Sequence, residues 1–331
     1  MVRIRYFVVM GLVAIVLQAN AQGQGYADLG QKWLYRPFIN PAVTGNTPFL
    51  ELNLFARQQW VGVEGAPSTQ IFSGHSFFPS INSGVGLTLA NEFIGIFHTF
   101  DIKLAYAYHI SLNEDISISF GLAGNMIWMF RDDSKIDLQN PSVSSPPPFK
   151  TTMLPNFDAG MELRNRWLRI GLSAIHLIDS PSDYYDPNRA DYNGLNMERT
   201  FHAYATGRVE AGTYFAISPT VSGSLNHGFY DGEAGAMFFF KRLRQKDNLV
   251  RLGTRYSDTY DFLWAGAFMR FNGTLAIMAG ISITEQWRLG YAYEYTFHFQ
   301  QIQWANTHEI MVSWRLPPIQ RGARKYLCED C

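Results

Sequence analysis

The chain has 331 residues, with 27 Lys and Arg against 28 Asp and Glu. That balance leaves a net charge of −1 and lacks the basic footprint a nucleic-acid partner requires. Aromatics at 15% and 28 glycines suit strands and tight turns, and past the amino terminus no apolar run approaches the roughly 18 residues of a membrane helix. A mean hydropathy of −0.10 is compatible with a barrel, whose strands are apolar on one face only.

At the amino terminus, Arg3 and Arg5 precede an almost unbroken apolar run from Tyr6 to Leu17, followed by Ala19-Asn20-Ala21. This is the pattern of a secretory signal with small residues for a peptidase pocket, and it predicts cleavage after Ala21. The run is about 12 residues, short of the about 20 that a spanning anchor needs. Residues 22–48 precede the first confident strand and mix aromatics with turn residues, which suggests a plug or a periplasmic contact segment.

From residue 49 to 316 the dominant signal is alternation. Ile102, Leu104, Tyr106, Tyr108 and Ile110 interleave with Asp101, Lys103, Ala105, Ala107 and His109. Ile116, Ile118, Phe120 and Leu122 interleave with Ser117, Ser119, Gly121 and Ala123. Leu275 to Ile283 and Ile310 to Leu316 follow the same rule. Between Trp287 and Phe299, seven large apolar residues alternate with Arg288, Gly290, Ala292, Glu294, Thr296 and His298. A helix would scatter such residues around its surface, whereas a strand gathers them on one face. Soluble sandwich strands average five or six residues, but several of these run to the roughly 9–11 that a tilted membrane strand needs. The inward set, small and charged, suits a hydrated lumen.

The expected fold is therefore all-β: a transmembrane antiparallel β-barrel of about 14 strands with long extracellular loops. The alternating stretches amount to about fifteen candidate strands, and single-chain bacterial barrels normally have an even number, so one is surplus or lies outside the wall. The stretch Tyr214–Tyr256 is where the surplus is expected. Tight turns are signalled at Asn165, Ala211-Gly212 and Asn272-Gly273. Two connections are long: Arg131–Met153, rich in Pro and Ser, and Ser180–Glu198, rich in Asp and Asn. Both follow strands of one direction, which places them at the same end. Residues 317–331 form a tail.

Signals for catalysis or metal binding are poor, so no catalytic residue, cofactor or metal is expected. Thr307-His308-Glu309 lacks the second His of a zincin helix, Gly84-Val85-Gly86 is a lone Gly-x-Gly in a strand, and the eight His are scattered. Asp186 to Asn193 departs from the spacing of a calcium loop. Cys328 and Cys331 close the chain as Cys-x-x-Cys without a surrounding βαβ pattern, which favours a local disulfide or a frayed tail over a redox centre.

Several motifs remain. Asn40-Pro41-Ala42 precedes the barrel; Arg57-Gln58-Gln59-Trp60-Val61-Gly62 ends the first strand; Gly65-Ala66-Pro67-Ser68-Thr69 follows; Thr307-His308-Glu309-Ile310 opens the last strand. Gly62 and Gly65 permit a turn with positive φ, Pro67 fixes its exit, and Asn40 before Pro is pushed to extended backbone. Arg57 has two routes open: stacking on Trp60, or pairing with a lumenal carboxylate such as Glu294. These residues read first as shaping a turn and the barrel interior, and second as an edge that holds a partner.

Taken in order, the motifs resemble the PorP/SprF family across essentially the whole chain beyond the signal. That pattern comprises an Asn-Pro-Ala segment, Arg-x-x-Trp-x-Gly, Gly-Ala-Pro-x-Thr and a Ser-His-Glu-type strand. Thr307 replaces the usual Ser but keeps the hydroxyl, and the tail after Leu316 lies outside the pattern. The resemblance implies an outer-membrane accessory of type IX secretion that exports or retains cargo through a C-terminal sorting domain, beside other secretion subunits. It carries Asn40, Pro41, Arg57, Trp60, Gly62, Gly65, Pro67, Thr69, His308 and Glu309 forward as candidate site residues. Alternating strands alone serve equally well in a porin or hydrophobic-substrate channel, and an outer-membrane hydrolase has little support.

Overall fold

The computed structural model describes residues 29–47, 49–113, 115–132, 152–178, 199–226, 229–243, 259–297 and 306–316. The signal at 1–21, nearly all of both long connections, and Cys328 with Cys331 lie outside these residues.

The wall is a single antiparallel sheet: β1 (Leu50–Gln58), β2 (Ser68–Phe78), β3 (Ser83–Ile94), β4 (Phe97–Ser111), β5 (Ile116–Arg131), β6 (Thr152–Asn165), β7 (Leu168–Ile175), β8 (Thr200–Gly207), β9 (Val209–Glu210), β10 (Phe215–Asn226), β11 (Phe229–Leu243), β12 (Thr259–Arg270), β13 (Thr274–Ser282), β14 (Trp287–Thr296) and β15 (Asn306–Leu316). Each strand pairs with its neighbour in sequence, and β15 closes on β1 from Leu50↔Leu316 to Gln58↔His308. β8 and β9 both pair with β10 and form one strand interrupted at Arg208, so the closed barrel has 14 staves. The interruption falls just ahead of the Tyr214–Tyr256 stretch where the surplus was expected; that stretch itself supplies two full strands, β10 and β11. The wall takes in Met153, which sequence alone assigns to a loop, and β14 stops at Thr296 rather than Phe299.

Alternation dictates which side chains face out. On β14, Trp287, Leu289 and Tyr291 are exposed while Arg288, Gly290, Ala292 and Glu294 are buried; β5 repeats this with Phe120 and Leu122 outside, Ser119 and Gly121 inside. Outward apolar and inward polar or small is the order that lipid imposes. Aromatic side chains mark one rim, where Trp287 and Trp314 stack at 5.2 Å across β14 and β15 and Trp167 stands exposed in the β6–β7 turn.

Connections leaving β1, β5 and β7 sit at one end of the barrel, and those leaving β2, β4 and β6 at the other, with the start of β1 and the end of β15. The first end carries both long connections and is the outer end; the second is the inner end. Turn chemistry follows the sequence: Asn165 Oδ1 accepts Trp167 N–H and Leu168 N–H, and Gly212 and Gly273 have φ of 81° and 82°.

Candidate functional site

The interior is not the water-filled lumen that its small and charged residues suggest, because residues 29–47 occupy it. Proline sets the local form of this segment. Pro37 and Pro41 stand at the second and first positions of two short 3-10 turns, Arg36–Phe38 and Pro41–Val43, and neither turn propagates. Asn40 between them is extended (φ −149°, ψ 110°), as a residue before proline should be, and its Oδ1 caps the second turn by accepting Ala42 N–H at 2.9 Å. The segment's own polar groups must then find partners on the wall.

They do so along the full height of the barrel. Near the outer end, Gly30 N–H and Gln31 N–H donate to the Glu309 carboxylate at 2.8 and 3.1 Å, Lys32 pairs with Glu233 at 3.0 Å, and Trp33 Nε1–H donates to Glu233. Midway, Tyr35 meets Ser73, Arg36 pairs with Glu162 at 2.5 Å, and Asn40 Nδ2 donates to Met161 O at 3.0 Å. At the inner end, Gly45 N–H donates to His75 Nδ1 at 2.8 Å, and His109 Nε2 donates to Thr44 O at 2.9 Å. Tyr35, Phe38 and Phe55 cluster with ring centroids 4.7–6.0 Å apart, inside an apolar core that also takes in Leu29, Ile71, Met237, Trp264 and Phe268.

Small inward residues are the complement of this packing. A Cβ on Gly121 would lie 2.2 Å from Ala42 N, one on Gly84 would lie 2.0 Å from Thr44 O, and one on Gly160 would lie 2.1 Å from Asn40 Oδ1. Gly84-Val85-Gly86, which carries no phosphate signature, is therefore the floor on which Thr44 and Gly45 rest. Glycine within a strand here marks close approach of another backbone.

Three of the four sequence motifs meet at the outer half of this interface, while Asn40-Pro41-Ala42 lies in the inner half. Cross-strand register aligns Glu92, Thr69, Arg57, Glu309 and Ala292 in one row across β3, β2, β1, β15 and β14. Arg57 donates to Glu294 at 2.6 Å and to Glu309 at 3.3 Å, which is the lumenal pairing rather than stacking on Trp60. Arg270 continues the network, at 3.0 Å to Glu294 and 3.1 Å to Glu233. The three carboxylates balance Arg57, Arg270 and Lys32, and apart from Lys32 every member is 5% exposed or less. Buried ions persist only when paired and hydrogen-bonded in this way.

Of the ten expected site residues, Asn40, Pro41, Arg57, Thr69 and Glu309 are buried inside the barrel. Trp60, Gly62, Gly65 and Pro67 form the β1–β2 turn, where Trp60 has φ 45°, Gly62 φ 95° and Gly65 φ 73°. His308 stands apart on the outer wall, sharing a hydrogen bond between its Nδ1 and Tyr291 OH at 2.6 Å. Reading by motif passes over Glu162, Glu233 and Arg270. Each is an ionisable residue at an inward position of an alternating strand, and that was the available signal.

The whole chain from the lumen segment to the last strand matches one family model, described as type IX secretion system membrane protein PorP/SprF, over residues 22–314. The chain belongs to the PorP/SprF family. It is accordingly a type IX secretion protein of the cell outer membrane. No curated protein matches it. Solved structures of similar shape include the outer membrane protein Omp33 of Acinetobacter baumannii (TM-score 0.43, 10% identity, 81% of this chain and 99% of that one). The toluene transporter TbuX of Ralstonia pickettii is another (TM-score 0.46, 9% identity, 84% and 92%). A TodX monoaromatic hydrocarbon channel mutant gives a TM-score of 0.47 at 8% identity over 85% and 93%. In this PorP/SprF protein, Arg57 and Glu309 sit where the wall grips the N-terminal segment.

Proposed function

We propose that this protein is a non-enzymatic accessory that retains secreted cargo at the outer end of the barrel, through the cargo's C-terminal sorting domain. The observation that carries this reading is the occupied lumen. A barrel whose interior is filled by its own residues 29–47, with charges neutralised and glycines cleared for the backbone, is built as a closed post and not as a conduit. Translocation then belongs to other subunits of the secretion machinery, and the barrel supplies a fixed outer-membrane platform. The long connections after β5 and β7 leave that platform at its outer end and are the proposed cargo-facing surface.

A crosslinked pull-down of a tagged copy from native outer membranes, read by mass spectrometry, tests the proposal. Recovery of a large secreted protein crosslinked through its C-terminal domain is expected. Good yields of barrel with no secreted protein attached would refute it. Removing residues 133–150 should leave the barrel heat-stable and abolish retention; undiminished retention would exclude that connection as the cargo surface.

A further inference from the structure

The two halves of the lumen segment are held in physically different ways. From Asn40 to Gly45, contact is backbone against backbone: the space over Gly84, Gly121 and Gly160 is taken by main-chain or capping atoms 2.0–2.2 Å from any added Cβ. From Gly30 to Trp33, the wall is met mainly by the ends of flexible side chains. A Cβ on Gly30 would first meet Glu294 Oε1 and the Ala292 methyl. Both halves bury polar atoms that lack a hydrogen-bond partner among the described residues, a single hydroxyl in the inner half (Thr44 Oγ1) and a whole amide in the outer half. The Gln31 side chain is fully buried, yet neither its Oε1 nor its Nε2 has a hydrogen-bond partner among the described residues. A buried amide left without hydrogen bonds is destabilising.

Charge favours the same division. If the outer half leaves, Glu309 still faces Arg57, Glu294 still faces Arg57 and Arg270, and Glu233 still faces Arg270. No carboxylate of this cluster is stranded. What remains among the described residues of this cluster is three carboxylates beside two guanidiniums, with the position Lys32 had held open to another cation. Glu309 would present two acceptor positions that take any peptide's N–H groups, and Glu233 would present one that takes a cation or an indole N–H, as it takes Lys32 and Trp33.

We infer that Gly30–Trp33 is a releasable strap over a peptide-binding site at the outer end, formed by Glu309, Glu233 and Glu294, whose ligand is an extended segment bearing a cationic residue beside an aromatic one. The strap is the site's occupant in cis, and the interlocked Asn40–Gly45 half is its fixed hinge. The cargo reading bears on this site only in suggesting where such a segment would come from. The test below uses no cargo, so its failure leaves the cargo reading standing.

The test is thiol labelling of folded, purified protein in detergent, where both ends of the lumen are accessible. In a Cys328→Ser/Cys331→Ser background, Gln31→Cys and Thr44→Cys place thiols at two buried positions, one in each half. The heat-modifiable gel band confirms that each variant is folded. Gln31→Cys is expected to react with a hydrophilic maleimide at least about tenfold faster than Thr44→Cys, as local opening of one half requires. Glu309→Gln should accelerate the first and leave the second unchanged. A synthetic peptide of residues 29–38 should accelerate labelling of Gln31→Cys by capturing the vacated wall, and the same peptide with Glu in place of its Lys should not. Equal rates at the two thiols, or rates indifferent to both peptides, would overturn the inference.

Discussion

Glu309 is the direct cross-strand partner of Arg57, and the same carboxylate accepts the backbone N–H groups of Gly30 and Gln31. One residue of the closing strand thus ties together the first strand, the last strand and the segment that fills the lumen. Barrel closure and lumen occupancy share a single anchor.

Removing one member of that anchor should be costly. Arg57→Ala leaves Glu294 and Glu309 sharing fewer cations in a buried site, a loss of about 3–5 kcal/mol for a broken buried pair. The temperature at which the heat-modifiable band disappears should fall markedly. Arg57→Lys should recover only part of the loss, because an ammonium does not bridge two carboxylates as a guanidinium fork does. Full recovery by Lys would show that charge alone matters there.

The glycine complement gives a sharp contrast within β5. Gly121→Val should lower the yield of folded barrel severely, since its Cβ would fall 2.2 Å from Ala42 N. Gly124→Ala on the same strand should be nearly neutral, because the added Cβ would meet nothing nearer than the Phe157 ring at 3.8 Å. Folded fractions from refolding into detergent give the answer directly. Equal tolerance at both sites would mean that residues 40–45 do not rest on β5.

Asn40 uses both ends of its amide, one to cap Ala42 N–H and one to donate to Met161 O. Asn40→Ala should cost about 1–2 kcal/mol through loss of the cap. Asn40→Asp keeps the cap acceptor but turns a carboxylate toward a carbonyl and the Glu162 region, so it should be worse than Ala at neutral pH. Denaturant midpoints of the two variants give the order, and the reverse order would contradict the assigned amide orientation.

The wall itself was legible from residue order. Alternation at Trp287–Tyr295 and Ile116–Ala123 specifies both the strands and their lipid faces, because a two-residue period leaves no other way to sort the side chains. The pairing of Arg57 with Glu294 was likewise within reach, since both stand at inward positions. The course of residues 29–47 was not. Trp33, Tyr35 and Phe38 follow no period, and their anchors lie far away in sequence: Glu233 is 200 residues from Trp33, and Glu162 is 126 from Arg36. Gly121 and Gly160 look like ordinary small lumen residues until a second backbone is laid against them. Motif residues such as Asn40 and Glu309 were visible as a pattern, but their burial against each other's segments comes only from the closed barrel.

Outward orientation is testable by depth. Leu122→Arg places a cation at a lipid-facing position that is 65% exposed in the bare barrel, and near the bilayer midplane this should cost about 2–4 kcal/mol of folding free energy in vesicles. Leu122→Phe should be tolerated. A neutral arginine would place that face away from lipid.

The most direct test of the closed barrel is ion conductance of the full-length protein reconstituted in a planar bilayer. Bilayers with verified insertion should show no steady open-channel current, because residues 29–47 fill the lumen from Glu309 at the outer end to His75 at the inner end. A stable porin-scale conductance from the same folded protein would contradict the account and return the barrel to the transporters.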